Sequence, residues 1–147
     1  MSATSAMSDE VVLDASVAVN WLLSGSRPGG TLPFFRAEVR RSAPDLIFAE
    51  FVFVASRLVR RGLVSKVAAR ETIEKLPYLL DEVAPLSDLA VSAYDLAARY
   101  SFSTYDAIYL TLALLRDVPL VTADARLARR AVDVGLAGHV RLLTPES

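Results

Sequence analysis

Four acids stand in settings that suit metal-assisted chemistry: Asp14 in Val-Leu-Asp-Ala-Ser-Val, Glu50 in Phe-Ala-Glu-Phe-Val, Asp106 in Thr-Tyr-Asp-Ala-Ile and Asp124 in Val-Thr-Ala-Asp-Ala-Arg. Taken singly, each has an ordinary structural use. Asp14 and Asp124 suit helix N-caps, Asp106 complements the dipole of a helix starting near Ser103, and Glu50 suits a surface. The combination points elsewhere, because Phe48, Ala49, Phe51 and Val52 surround Glu50, and Tyr105, Ala107 and Ile108 surround Asp106, which implies partial burial. Carboxylates gathered in a low-dielectric cleft repel one another unless a cation neutralises them. No lysine lies close in sequence to any of the four, so a bound divalent ion is the economical answer. Mg2+ and Mn2+ prefer oxygen ligands and often sit between carboxylates and a phosphate, where they activate water for in-line displacement. Ser16 and Thr122, each two residues from one of these acids, either orient a carboxylate or a bound water, or serve as a helix cap and an ordinary strand residue.

The chain holds no cysteine and a single histidine, His139. Thiol nucleophiles, thiolate zinc sites, disulfides and two-histidine mechanisms are excluded, and oxygen ligands remain.

For the acids to meet, the elements must alternate. Glu10–Ala15 reads as a buried strand running into a helix over Ser16–Leu23, and Gly25–Gly30 as a loop. A short helix is expected over Leu32–Arg41, with the end of a second strand at Ser42–Pro44. Leu46–Arg61 is a helix closed by Gly62. Ser65 caps a helix that Pro77 stops near Leu76, and Leu79–Val83 is a candidate strand. Helices follow over Ser87–Arg99 and from Ser103 or Thr104 to Leu115, then a strand at Leu120–Thr122, a helix from Asp124 to near Gly135, and a last strand at His139–Leu143. Strands alternating with helices over short connections predict an α/β fold with a mainly parallel central sheet flanked by helices. In such a sheet ligands bind at the carboxyl ends of the strands, where Asp14 and Asp124 would lie.

With 147 residues the chain fits one domain over 10–147, preceded by a flexible segment at 1–9. It is 53% hydrophobic with a mean hydropathy of +0.37. The first half of the Leu46–Arg61 helix is apolar around nearly its whole circumference. Both features predict a protein partner, through this helix or as an oligomer. The small, polar Met1–Ser8 stretch lacks a secretory pattern, and Glu50 and Arg116 interrupt the longest apolar runs, so a soluble, cytoplasmic protein is expected. Net charge is −1, so any nucleic-acid binding must come from local arginines. The clusters Arg36/Arg40/Arg41, Arg57/Arg60/Arg61 and Arg126/Arg129/Arg130 read as solvated helix faces, with Arg126, nearest a motif acid, the candidate for substrate phosphate.

In order and approximate spacing, the four motifs resemble those of PIN-domain nucleases, and most closely VapC-type toxins of bacterial toxin–antitoxin modules, over about Val11–Leu143. The resemblance implies a three-layer α/β/α PIN-like fold and makes Asp14, Glu50, Asp106 and Asp124 both catalytic and metal-binding. It also implies Mg2+ or Mn2+ as cofactor, a structured or translation-related RNA as substrate, a homodimer, and an antitoxin whose C-terminal segment covers the groove. Two departures stand out. Phe53 occupies a position where many relatives carry Asn or another polar residue, and no further acid follows closely after Asp124, which leaves open whether Asp124 touches the ion directly.

Two other classes compete with metal-dependent RNA hydrolysis. A phosphoacceptor domain would resemble receivers in having an adjacent acidic pair at the first strand and a lysine after the last. Here Leu13 neighbours Asp14, and Lys66 and Lys75 lie mid-chain. A catalytically silent PIN-like binding module would have lost acids that are all present here.

Overall fold

The computed structural model describes residues 10–23 and 36–143. The expected flexible segment at 1–9, the Gly25–Gly30 loop and the start of the helix expected from Leu32 lie outside them. In chain order the elements are β1 (Glu10–Leu13), α1 (Ala15–Leu22), β2 (Arg40–Pro44), α2 (Leu46–Arg60), α3 (Lys66–Leu79), β3 (Glu82–Ala84), α4 (Leu86–Tyr100), α5 (Thr104–Arg116), β4 (Leu120–Thr122), α6 (Ala125–Asp133), a 3-10 turn (Ala137–His139) and β5 (Val140–Leu142). The sheet runs β3-β2-β1-β4-β5, and all four pairings are parallel.

Side chains alternate across a strand, so neighbouring residues of β1 feed opposite faces. Val12 joins Ala43 and Leu120 in the larger core, packed by Phe51, Leu89, Ile108, Tyr109 and Leu112 from the helices. Val11 and Leu13 join Val121, Val17 and Leu143 in a smaller core on the other face. The result is the expected three-layer α/β/α arrangement. Helix α5 is the most deeply set helix, with Ala107 through Ala113 all buried. No helix among the described residues is long and apolar enough to cross a membrane.

Several boundaries differ from the sequence expectation. The helix expected over Leu32–Arg41 does not extend through its second half: Arg36–Val39 is a turn, and Arg40 and Arg41 open β2. Pairing decides this, because Glu10, Val11 and Val12 of β1 align with Arg40, Arg41 and Ser42. The guanidinium of Arg41 is tied down by the carbonyls of Leu79 (2.7 Å) and Arg36 (3.0 Å), so the charge does not oppose a strand start. Helix α3 does not stop before Pro77 but carries it in its last turn and ends at Leu79; so near a helix end, the missing N–H costs little beyond one bond. Strand β3 accordingly starts later than expected, at Glu82. Helix α4 begins at Leu86 behind Pro85 instead of at Ser87, and His139 belongs to the 3-10 turn ahead of β5.

The chain leaves β1 for β2 and β3 on one side and returns to β4 and β5 on the other. The carboxyl ends of β1 and β4 therefore flank the switch in strand order, the place where an open parallel sheet forms a crevice.

Candidate active site

All four acids line one cleft of about 850 Å³ at that crevice. Asp14 follows β1 directly, and its amide donates to the Val121 carbonyl at 3.0 Å, which ties the end of β1 to β4. It occupies the N-cap position of α1 but makes no capping bond with its side chain. Instead Oδ2 accepts from Ser16 Oγ and Thr122 Oγ1, each at 2.7 Å. The two hydroxyls are held in turn by backbone: Ala123 N–H donates to Ser16 Oγ and Asp124 N–H to Thr122 Oγ1, both at 3.0 Å. Ser16 is thus no helix cap and Thr122 no ordinary strand residue; together they clamp Asp14.

Asp124 does act as a cap. Its Oδ1 accepts from the N–H groups of Arg126 (2.9 Å) and Leu127 (3.3 Å) at the start of α6, and its side chain is exposed at the cleft rim. Asp106 enters from the first turn of α5, which Ser103 caps through the Asp106 N–H at 3.1 Å. Glu50 comes from α2, whose residues Leu46, Ala49, Phe53 and Val54 line the same wall at helical spacing. Phe53, 58% exposed, fills its place in that wall as an apolar surface.

A residue that sequence reasoning missed anchors Glu50. Tyr109, 2% exposed, donates its hydroxyl to Glu50 Oε1 at 2.7 Å. Burial and the neighbouring Glu50 charge push the Tyr109 hydroxyl far up, so it stays a neutral donor. The available signal was its spacing: Tyr109 lies three residues after Asp106, on the same face of α5. Asn20, from α1, also lines the cleft and was not singled out.

Burial dominates the electrostatics. It holds the Asp14 carboxyl above the ordinary range despite the opposing Thr122 and Ser16 bonds, and Asp124 adds to the rise. Glu50 is raised by burial, against the Tyr109 bond, with Asp14 and Asp106 adding repulsion. Asp106 is likewise raised by burial, against its Ser103 bond, with repulsion from Asp14 and Asp124 partly offset by Arg126. Among the described residues, no lysine or arginine lines the cleft.

The donor set fits a hard divalent ion in kind, being carboxylate and hydroxyl oxygen without sulfur or imidazole. Among the described residues, no three acidic or histidine side chains already stand in a closed ligand cage.

The comparisons agree with this architecture. A family model described as PIN domain matches residues 11–133. The chain belongs to the PIN-domain family. Within it, the chain is of the VapC type: it is 36% identical over 120 residues to Ribonuclease VapC1 of Mycobacterium tuberculosis, an alignment covering 82% of this chain and 90% of that protein. Among solved structures, PAE2754 from Pyrobaculum aerophilum superposes with a TM-score of 0.65 at 20% identity, covering 91% of this chain and 84% of that one. VapBC2 from Rickettsia felis, bound to a DNA fragment from their promoter, gives 0.64 at 11% identity, covering 93% and 99%. At such identities these two show a shared fold.

Proposed function

We propose that the chain is a metal-dependent endoribonuclease, the toxin component of a bacterial toxin–antitoxin module, that hydrolyses RNA phosphodiester bonds at the four-acid cleft. One observation carries this reading: four carboxylates, three of them raised by burial, line a single cleft to which the described residues bring no basic side chain. The ribonuclease name of the 36% identical relative supports it.

Asp14 and Asp106 would be the principal holders of Mg2+ or Mn2+, with Asp124 completing the acidic pocket. When bound, such an ion lowers the pKa of a coordinated water and stabilises charge on the phosphoryl group. The remaining work falls to this chain's own residues. Ser16 and Thr122 fix Asp14 through Oδ2, so that the carboxylate is held in place where it would hold the cation. Tyr109 holds Glu50 by Oε1, and the burial-raised Glu50 carboxylate takes the proton of the attacking water. Arg126, outside the acid cleft, steers the RNA phosphates toward it, and as the P–O bond breaks the leaving oxygen is protonated from solvent. The apolar wall of Leu46, Phe53 and Val54, with exposed Val52 and Tyr105 beside it, suits an antitoxin segment laid across the groove, and the apolar composition suits a homodimer.

Purified protein incubated with total RNA should cut only when Mg2+ or Mn2+ is added. Asp14→Asn and Asp106→Asn should each abolish cutting while the fold persists by circular dichroism. Full metal-dependent activity in either variant would defeat the assignment. A second reading, a PIN-like module that binds without cutting, draws on the lack of a closed three-acid cage; metal binding without any cleavage by the unmodified chain would favour it.

A further inference from the structure

A second cavity, of about 380 Å³, lies against the acid cleft and shares Asp106 and Asp124 with it as a common wall. Arg126, Arg129, Arg130 and Asp133 of α6 line its other side. The three arginines are not equivalent. Arg130 donates from Nη2 to the carbonyls of Tyr100 (2.7 Å) and Ser101 (2.9 Å) and lies over the Phe102 ring, so it is committed to closing the end of α4. Arg126 and Arg129 are exposed, stand three residues apart on one helix face, and enter no ion pair among the described residues.

Guanidinium groups, absent from the described walls of the acid cleft, enter on this side of the shared wall, where three of them face the single carboxylate of Asp133. Guanidinium groups recognise phosphate through paired N–H donors. The apolar wall of the acid cleft lies on α2, away from these arginines. We infer that the second cavity holds the RNA phosphate next to the scissile one, gripped by Arg126 and Arg129, so that the substrate must run at least one nucleotide past the cleavage point on the α6 side. This deepens the ribonuclease reading and rests on it.

Binding of a fluorescein-labelled single-stranded RNA, measured by anisotropy across a range of KCl concentrations in an Asp14→Asn background that does not cut, tests the assignment. In that background the Arg126→Ala/Arg129→Ala double variant should bind about tenfold more weakly. Its plot of log affinity against log salt should flatten by about 0.7, the value for one phosphate on a single strand. Both side chains are exposed and their amides stay in place, so the melting temperature should not move. Replacing successive phosphates by neutral methylphosphonates should weaken the Asp14→Asn protein at one position beside the mapped cleavage site, and leave the further arginine variant indifferent there. An unchanged salt slope with RNA binding intact overturns the phosphate site and leaves the acid cleft standing. If the Asp14→Asn protein and the unmodified chain both fail to bind RNA, the ribonuclease reading fails as well.

Discussion

At the amino ends of the strands, Glu10 and Glu82 meet Arg116, and Glu82 also meets Arg40 at 3.1 Å. At the carboxyl ends, Asp14, Glu50, Asp106 and Asp124 surround a cleft with no lysine or arginine among the described residues of its walls. The consequence is opposite in sign. Hydrogen bonding from Arg40 and the charge of Arg116 hold Glu82 below the ordinary carboxylate range, whereas burial raises Asp14, Glu50 and Asp106. One edge is balanced within the chain and so contributes to the fold. The other has no such balance among the described residues, and a charge deficit maintained inside a folded cleft marks a place where stability is given up for something that binds.

Four changes should break or sharpen this contrast. The largest effect is expected for Asp14→Asn, which should reduce RNA cleavage to background while raising the metal-free melting temperature by about 3–8 °C, from relief of roughly 1–2 kcal/mol of desolvation and repulsion. Cleavage assays and calorimetry on the same preparation check both halves, and a lowered melting temperature would deny that the acid is strained. Next, Tyr109→Phe should slow cleavage about tenfold by freeing Glu50, a loss of about 1.4 kcal/mol in transition-state stabilisation. At the balanced edge, Arg116→Met should cost about 1 kcal/mol by leaving partly buried Glu10 without its partner while Glu82 keeps Arg40, and cleavage should survive. Urea unfolding reads that cost.

The smallest effect concerns pH. A carboxyl raised in the folded state contributes stability below its unfolded pKa, near 4, that is lost as pH rises through the folded value. Asp14, Glu50 and Asp106 therefore make the metal-free protein less stable as pH climbs out of the acid range. Glu82, lowered, works the other way: its contribution is present above its unfolded pKa and is lost as pH falls through the folded one. Glu82 is exposed enough that solvent screening should hold its share to about 0.3–0.5 kcal/mol, so Glu82→Gln should barely move the melting curve at neutral pH. Melting curves of the wild type and Glu82→Gln from acid to neutral pH check both signs.

Much of this contrast was legible in the sequence because its parts are local. The Val-Val-Leu run before Asp14, the Ser103 cap ahead of Asp106 and the Asp124 cap each depend on a few consecutive residues, and each stands where the pattern puts it. The parallel-sheet rule then brings Asp14 and Asp124 to one edge. What was not legible depends on partners far along the chain. Arg40 and Arg41 look helical until β1 pairs with them. The Tyr109 bond to Glu50 joins residues 59 positions apart. Ser16 and Thr122 became a clamp only because β1 and β4 are neighbours, which puts hydroxyls 106 positions apart within 3.5 Å of each other. The split of the α6 arginines into one structural and two free groups also needed the α4–α5 turn in place.

Titration of Mn2+ into the free protein at neutral pH, followed by calorimetry, addresses the acid cleft most directly. The unmodified chain should bind the ion saturably and melt at a higher temperature with it, since a ligand of the folded state alone stabilises that state, and Asp106→Asn should lose at least about tenfold in affinity. Equal binding by the two proteins, or none by the unmodified chain at millimolar Mn2+, would contradict a divalent-ion site built from these four acids.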